Sequence, residues 1–256
     1  MGKTIHEKYM DAMAYMDKTM KADNAAGHTW KYCNVTGHKA KDFESARKQG
    51  KYLLNCVDGV QWACRIAGIP SSALAWYGSR GIAWCGTNAQ ANAKKYFQII
   101  KVGNKTVRQC LTEGLLCEGD ILTYVSLSHT NAYYKDGKSW DSGHAFCTRS
   151  SGEHVPFTKW IGSLRYPTLK VSYILRIKDR KHYRVQAGAY KSESMAKEKQ
   201  KLLSTKFKIN STIKIEDGMY KIQLGYFDGK ENAEKYRKKM LTKTKMKDNE
   251  IIVKEL

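Results

Sequence analysis

The stretch Leu53-Leu54-Asn55-Cys56-Val57-Asp58-Gly59-Val60-Gln61-Trp62-Ala63-Cys64-Arg65-Ile66-Ala67-Gly68-Ile69 reads as one helix with a thiol at its start. Cys56, Val60, Cys64 and Ala67 recur at helical spacing on one apolar face. Gly68 and Pro70 end the helix. A thiol at a helix N-terminus faces unpaired N–H groups and the positive end of the dipole, both of which favour the thiolate. The thiolate is the form that attacks carbonyl carbon. Taken alone, such a cysteine is more often a buried core residue; the sequence downstream shifts that balance.

Thiol catalysis needs a base beside the sulfur and a third group to orient that base. Seven histidines are available, at 6, 28, 38, 129, 144, 154 and 182. From Gly119 the chain reads as a strand followed by a hairpin with its turn at Asp136-Gly137. His129 opens the first arm of that hairpin, and Asp141 and His144 lie on the second. A two-residue turn would set His144 opposite His129. A three-residue turn pairing 133 with 141 would put Asp141 on the face of His129. Both remain open on turn geometry alone.

Upstream, residues 4 to 22 suit an amphipathic helix with Tyr9, Met13, Met16 and Met20 along its buried stripe, broken at Asp23 to Gly27. Residues 28 to 50 are polar and read as irregular, and residues 71 to 92 as a Trp-, Gly- and Ser-rich loop. A short helix is expected over 106–117 and a strand over Val171–Ile177.

A junction falls at 178–181, and beyond it the chain repeats itself. Tyr183-Arg184-Val185-Gln186-Ala187-Gly188-Ala189-Tyr190 precedes a helix over Ser192–Leu203. Tyr220-Lys221-Ile222-Gln223-Leu224-Gly225-Tyr226-Phe227 precedes another over Lys230–Leu241, at an offset of 37 residues. Strands near 211–216 and 249–254 complete a β-α-β-β-α-β layout. Alternation turns Val185, Ala187, Tyr220, Ile222 and Leu224 inward, and Arg184, Gln186, Met219, Lys221 and Gln223 onto a sheet face left bare by the helices.

The net charge of +21 favours polyanionic surroundings, nucleic acid or an anionic bacterial wall alike. From Lys178 onward 21 Lys and Arg stand against 11 Asp and Glu. No apolar run approaches the ~18 residues of a membrane span, and no signal-peptide core opens the sequence. The seven cysteines form no C-x-x-C pair; six read as reduced structural residues, which leaves Cys56. No metal or cofactor is expected.

Residues 28 to 177 resemble the NlpC-type peptidoglycan cysteine peptidases, a papain-like superfamily that also contains CHAP amidases. Their Asp-Cys-Ser-Gly motif stands here as Asn55-Cys56-Val57-Asp58, and its distance to Ala67-Gly68-Ile69 is kept without a gap. Val57 and Asp58 depart from the Ser-Gly of the motif. Gly119-Asp120 and His129-Thr130-Asn131 match the later Gly-Asp and His-x-Gly segments. The resemblance implies Cys56 as nucleophile, His129 as base and Asp141, twelve positions on, as orienter, with His144 as the alternative. It also implies a tyrosine near the thiol, Tyr32 or Tyr52.

Residues 182–256 resemble the SPOR domain, a module that binds peptidoglycan glycan stripped of stem peptides. Its strand patterns appear as Val185-Gln186-Ala187-Gly188-Ala189-Tyr190 and Gly218-Met219-Tyr220-Lys221-Ile222-Gln223-Leu224-Gly225. The resemblance implicates Gln186, Met219 and Lys221 in glycan binding, with Met219 where many members have Trp. An RNA-binding module of the same layout would need an aromatic-rich strand that is missing here, so nucleic acid is not the expected partner.

The expected architecture is therefore α+β: a papain-like NlpC-type domain over 1–177, a linker at 178–181 and a split-βαβ SPOR-like domain over 182–256. The expected function is that of a phage or prophage endolysin. It would be made in the host cytoplasm without a signal peptide and act on the wall after release, with no insertion into the membrane. The implied bond is a D-glutamyl–diamino acid amide in the stem peptide. The alternatives are the N-acetylmuramoyl-L-alanine amide, as cut by CHAP-type amidases, and a wall-binding protein without catalysis.

Overall fold

In the computed structural model, which describes residues 2–33, 39–74, 93–125, 129–142, 155–156 and 159–256, Thr4 caps the first helix. Its hydroxyl accepts from Glu7 N–H, and the Glu7 carboxylate accepts from Thr4 N–H at 2.9 Å, a capping box. Helix α1 (Ile5–Ala25) buries Tyr9, Met13, Met16 and Met20 completely. It runs past the break expected at Asp23, because that carboxylate is held from outside the helix. Trp30 Nε1 donates to it at 3.0 Å, and Arg47 adds two hydrogen bonds at 3.0 Å each.

The stretch 28–50, expected to be irregular, carries strand β1 (Lys31–Tyr32) and helix α2 (Phe43–Lys48), capped by Asp42. Strand β1 pairs parallel with β2 (Leu53–Leu54). The cysteine helix therefore starts later than expected: Leu53 and Leu54 are strand, Asn55 is the cap, and α3 spans Cys56–Ile66. A 3-10 turn follows at Ser71–Leu74; the rest of the loop expected over 71–92 lies outside the described residues.

The remaining elements of this part are β3 (Phe97–Lys101), α4 (Val107–Thr112), β4 (Ile121–Tyr124), β5 (Thr130–Tyr133), β6 (Lys138–Trp140), β7 (Val155–Pro156), β8 (Ile161–Ser163) and β9 (Val171–Ile177). Strand β7 completes the small sheet by pairing antiparallel with β1. The others form an antiparallel six-stranded sheet in the order β3-β9-β4-β5-β6-β8. One face packs Ile121, Ala132, Trp140 and Leu175 against α1, α3 and an aromatic cluster in which Trp30 stacks on Phe43 at 5.2 Å. The other face packs Leu122, Tyr133 and Ile174 against Val102 and Val107. Covered on both sides, β4 and β5 bury every residue.

The hairpin follows neither register considered from sequence. Ala132 pairs with Trp140 and Tyr133 with Ser139, while Asp136 and Gly137 both take positive φ.

The chain divides into two compact units, Met1–Asp179 and Arg180–Leu256. The second runs β10 (His182–Tyr190), α5 (Glu193–Phe207), β11 (Thr212–Glu216), β12 (Met219–Asp228), α6 (Lys230–Thr244) and β13 (Ile251–Glu255), the expected β-α-β-β-α-β order. Its sheet is antiparallel, in the order β11-β12-β10-β13. Val185, Ala187, Ile222 and Leu224 meet Ala196 and Leu203 of α5 and Ala233 and Met240 of α6 in a core of their own. Asp217-Gly218 makes the tight turn between β11 and β12, with φ of 54° and 70°.

Candidate active site

The chain around Cys56 folds as it does because Asn55 is a strong helix cap. Asn55 Oδ1 accepts the N–H groups of Val57 at 3.0 Å and Asp58 at 2.9 Å, and Asp58 returns its carboxylate to Asn55 N–H at 2.9 Å. Two of the residues that differ from the Asp-Cys-Ser-Gly motif, Asn55 and Asp58, thus have a local use: they close a capping box. Lys39 pairs with Asp58 at 2.5 Å. Gly59 N–H goes to Asn55 O. Cys56 N–H is the first-turn donor not committed to this cap.

The structure brings Cys56, His129 and Asp141 together, each 5 or 6 % exposed. His129 Nε2 meets Asp141 Oδ1 at 2.9 Å. That leaves Nδ1 as the ring nitrogen for the thiol, with which His129 also hydrogen-bonds. Tyr32 OH lies 3.9 Å from Cys56 Sγ, whereas Tyr52 stacks on His28 at 5.1 Å; of the two tyrosines it is Tyr32 that stands at the thiol. His144 lies outside the described residues.

Burial pushes the Cys56 thiol up. The charge of His129, its hydrogen bond, the Thr130 backbone N–H and Tyr32 OH together outweigh burial and leave the thiol below its ordinary value. Burial likewise opposes the His129 imidazolium, but the Asp141 carboxylate and the Cys56 thiolate raise it. Both shifts favour the thiolate and imidazolium forms of the pair. Cys64, on the same helix face about two turns away, has no such partners, and burial pushes it well up.

Five contributors to the site are invisible to motif reading. Gly59 lets α3 approach the hairpin: a Cβ there would meet Ser142 Oγ and come within 2.9 Å of the Trp140 ring. Ser142 Oγ donates to Asn55 O at 2.9 Å, tying the segment that carries Asp141 to the cap of the cysteine helix. Tyr124 stacks on His129 with centroids 6.3 Å apart, and Tyr166 meets His129 edge-on at 5.2 Å. Arg165 Nε lies 3.7 Å from Asp141 Oδ2. A glycine inside an otherwise good helix was the one available signal. Among the described residues no group of three or more His, Cys, Asp or Glu could hold a metal ion.

In the second unit, alternation places Gln186, Met219 and Lys221 on the outward sheet face, but that face is not bare. Gln186 is 5 % and Lys221 6 % exposed, and Met219 is half-buried. The long side chains lie over one another in ion pairs: Arg184 with Glu216 through two hydrogen bonds, and Lys221 with Asp217 at 2.5 Å and Glu216 at 3.5 Å. Hydrogen bonds from Arg184, followed by Lys221, hold the Glu216 carboxyl at about 2. Gln186 and Gln223 are cross-strand partners. Their Oε1 and Nε2 atoms, respectively, are buried without a hydrogen-bond partner among the described residues.

The SPOR domain family model matches residues 179–254. This segment is a SPOR domain. A solved structure also matches, the solution structure of the peptidoglycan binding domain of the Bacillus subtilis cell wall lytic enzyme CwlC. It is 26% identical, covers 32% of this chain and 96% of that one, and gives a TM-score of 0.26. No curated protein matches the chain. The SPOR match does not extend to the α+β unit that holds Cys56. The SPOR domain gives the chain a peptidoglycan-binding module.

Proposed function

We propose that this chain is a bacterial cell-wall hydrolase of the NlpC type, in which Cys56 cleaves an amide bond of the peptidoglycan stem peptide while the SPOR domain holds denuded glycan. The observation that carries the reading is His129 buried between Cys56 and Asp141, at 2.9 Å from the carboxylate. A merely structural histidine has no need of a thiol on one nitrogen and a buried carboxylate on the other.

The reaction follows from the arrangement. Asp141 holds the His129 ring and stabilises its charged form. The Cys56 thiolate adds to the amide carbonyl, and Cys56 N–H donates to the oxygen that becomes negative. The imidazolium gives its proton to the departing amine, leaving a thioester. His129 then takes a proton from water, which hydrolyses the thioester and frees Cys56. The bond that the NlpC resemblance implies is the D-glutamyl–diamino acid amide. On the SPOR domain, Gln186, Met219 and Lys221 are the residues assigned to glycan. The endolysin role, with release from the host cytoplasm to the wall, belongs to the same proposal.

Digestion of purified peptidoglycan by wild type and Cys56→Ala tests it, with new amino groups and new reducing sugars assayed in parallel. Amines from wild type alone are the expected result, and the newly exposed N-terminal residue identifies the bond. Binding to peptidoglycan with no amine release would make the chain a non-catalytic wall binder. New reducing ends would mean that a glycosidic bond is cut instead.

A further inference from the structure

The segment that joins β8 to β9 holds a strained residue beside the thiol site. Tyr166 has φ of 50°, in the left-handed region that a bulky aromatic residue rarely occupies. The backbone around it is held by hydrogen bonds: Arg165 N–H to Ser139 Oγ at 3.0 Å, Leu169 N–H to Tyr166 O at 3.0 Å and Arg108 N–H to Pro167 O at 2.9 Å. Strain of this kind persists only where the surroundings impose it, and it concentrates at functional sites. Here it has two results. The Tyr166 ring stands edge-on to His129 and to Tyr124, at 5.2 and 5.6 Å. The Arg165 guanidinium is brought to the rim of the site, with Nε 3.7 Å from Asp141 Oδ2.

Arg165 is not used up by Asp141. The contact is longer than a hydrogen bond, the Arg165 side chain is 59% exposed, and Asp141 makes its close contact with His129. A pair this exposed contributes little by itself. Among the described residues nothing accepts from Arg165 Nη1 or Nη2. A planar guanidinium with free donors matches a carboxylate through two parallel hydrogen bonds.

We infer that Arg165 binds a carboxylate of the substrate next to the scissile amide, so that the site selects acidic peptides over their amidated counterparts. The inference rests on the thiol-hydrolase reading. Tyr166 acts as a positioning residue: its enforced backbone conformation sets the guanidinium at the rim.

Two synthetic peptides that differ only in a carboxylate or a carboxamide beside the scissile amide test this on the full chain. Wild type is expected to favour the carboxylate by about 10- to 100-fold in kcat/KM, the range of hydrogen bonds to charged groups. Arg165→Gln abolishes that preference through KM, Arg165→Lys restores part of it, and the pH profile of Cys56 alkylation by iodoacetamide stays in place. An equal loss on both peptides, or a moved alkylation profile, would show that Arg165 serves only Asp141 and overturn the inference alone. Cleavage of neither peptide by wild type, with no amine release from peptidoglycan, would remove the hydrolase reading and this inference with it.

Discussion

The groups that hold the Cys56 thiol below its ordinary value lie far from it in sequence. The helix and its apolar face were legible in the spacing from Cys56 to Ala67-Gly68, but its start was not, because Leu53 and Leu54 belong to a strand. The histidine and carboxylate could be selected because their spacings matched a known pattern. Tyr32 could not be chosen over Tyr52, since only the parallel pairing of β1 with β2 carries Tyr32 to the sulfur. Arg165 and Tyr166 were illegible for a sharper reason: nothing in their letters announces a positive φ at a tyrosine. The charge pairing has a direct consequence for pH. The thiol lies below its ordinary value and the imidazole above its own. The reactive pair therefore persists from the lowered thiol value up to the raised imidazole value and is lost outside that window on either side. Alkylation of Cys56 by iodoacetamide should remain fast at pH 7, where an ordinary thiol of pKa about 8.5 is mostly protonated. In His129→Ala burial acts without its main opponent, and the rate at pH 7 should fall at least about tenfold. Mapping of alkylated cysteines by mass spectrometry between pH 5 and 9 checks this, with Cys64 as the unreactive reference.

Among the elements, those with a strong local signal kept their expected places: α1 by its methionine stripe, β9 by its apolar run, and the two strand-helix repeats of the SPOR domain. The two-residue strands β1 and β2 had no such signal, because their hydrogen bonds come from segments more than twenty residues away. The hairpin register was missed because turn residues fix it, and Asp136-Gly137 admits more than one loop length. The contact between α3 and the hairpin turns on Gly59. Glycine in a helix interior costs roughly 0.5–1 kcal/mol relative to alanine, so Gly59→Ala would ordinarily stabilise. Here the added methyl meets Trp140 and Ser142, and overpacking of that kind costs about 1–3 kcal/mol. Packing wins, and the expected result is net destabilisation in urea, with a loss of amide hydrolysis larger than the stability change explains, because the displaced segment carries Asp141. An unchanged urea midpoint would show that the helix can shift without cost.

At the scale of the whole molecule, two cores account for two units, and they were unequally legible. The repeat at 37 residues disclosed the SPOR domain almost completely, because every pairing in its sheet follows from that repeat and a tight turn. The six-stranded sheet was legible only in pieces. Its neighbours β3 and β9 are more than seventy residues apart, and β8 joins through β6 rather than through β9. The SPOR sheet has a further property. Strand β10 begins where β13 finishes, and Leu256 N–H donates to His182 O at 2.9 Å. Placed in a surface loop of an unrelated carrier, residues 180–256 would ask that loop to open by no more than the spacing of adjacent strands, about 5 Å. The carrier should keep its fold and acquire sedimentation with peptidoglycan, checked by its melting temperature and a pull-down on purified walls. The domain is thus built like a clasp: it can be fastened to a host at one point, and the host need not stretch to hold it.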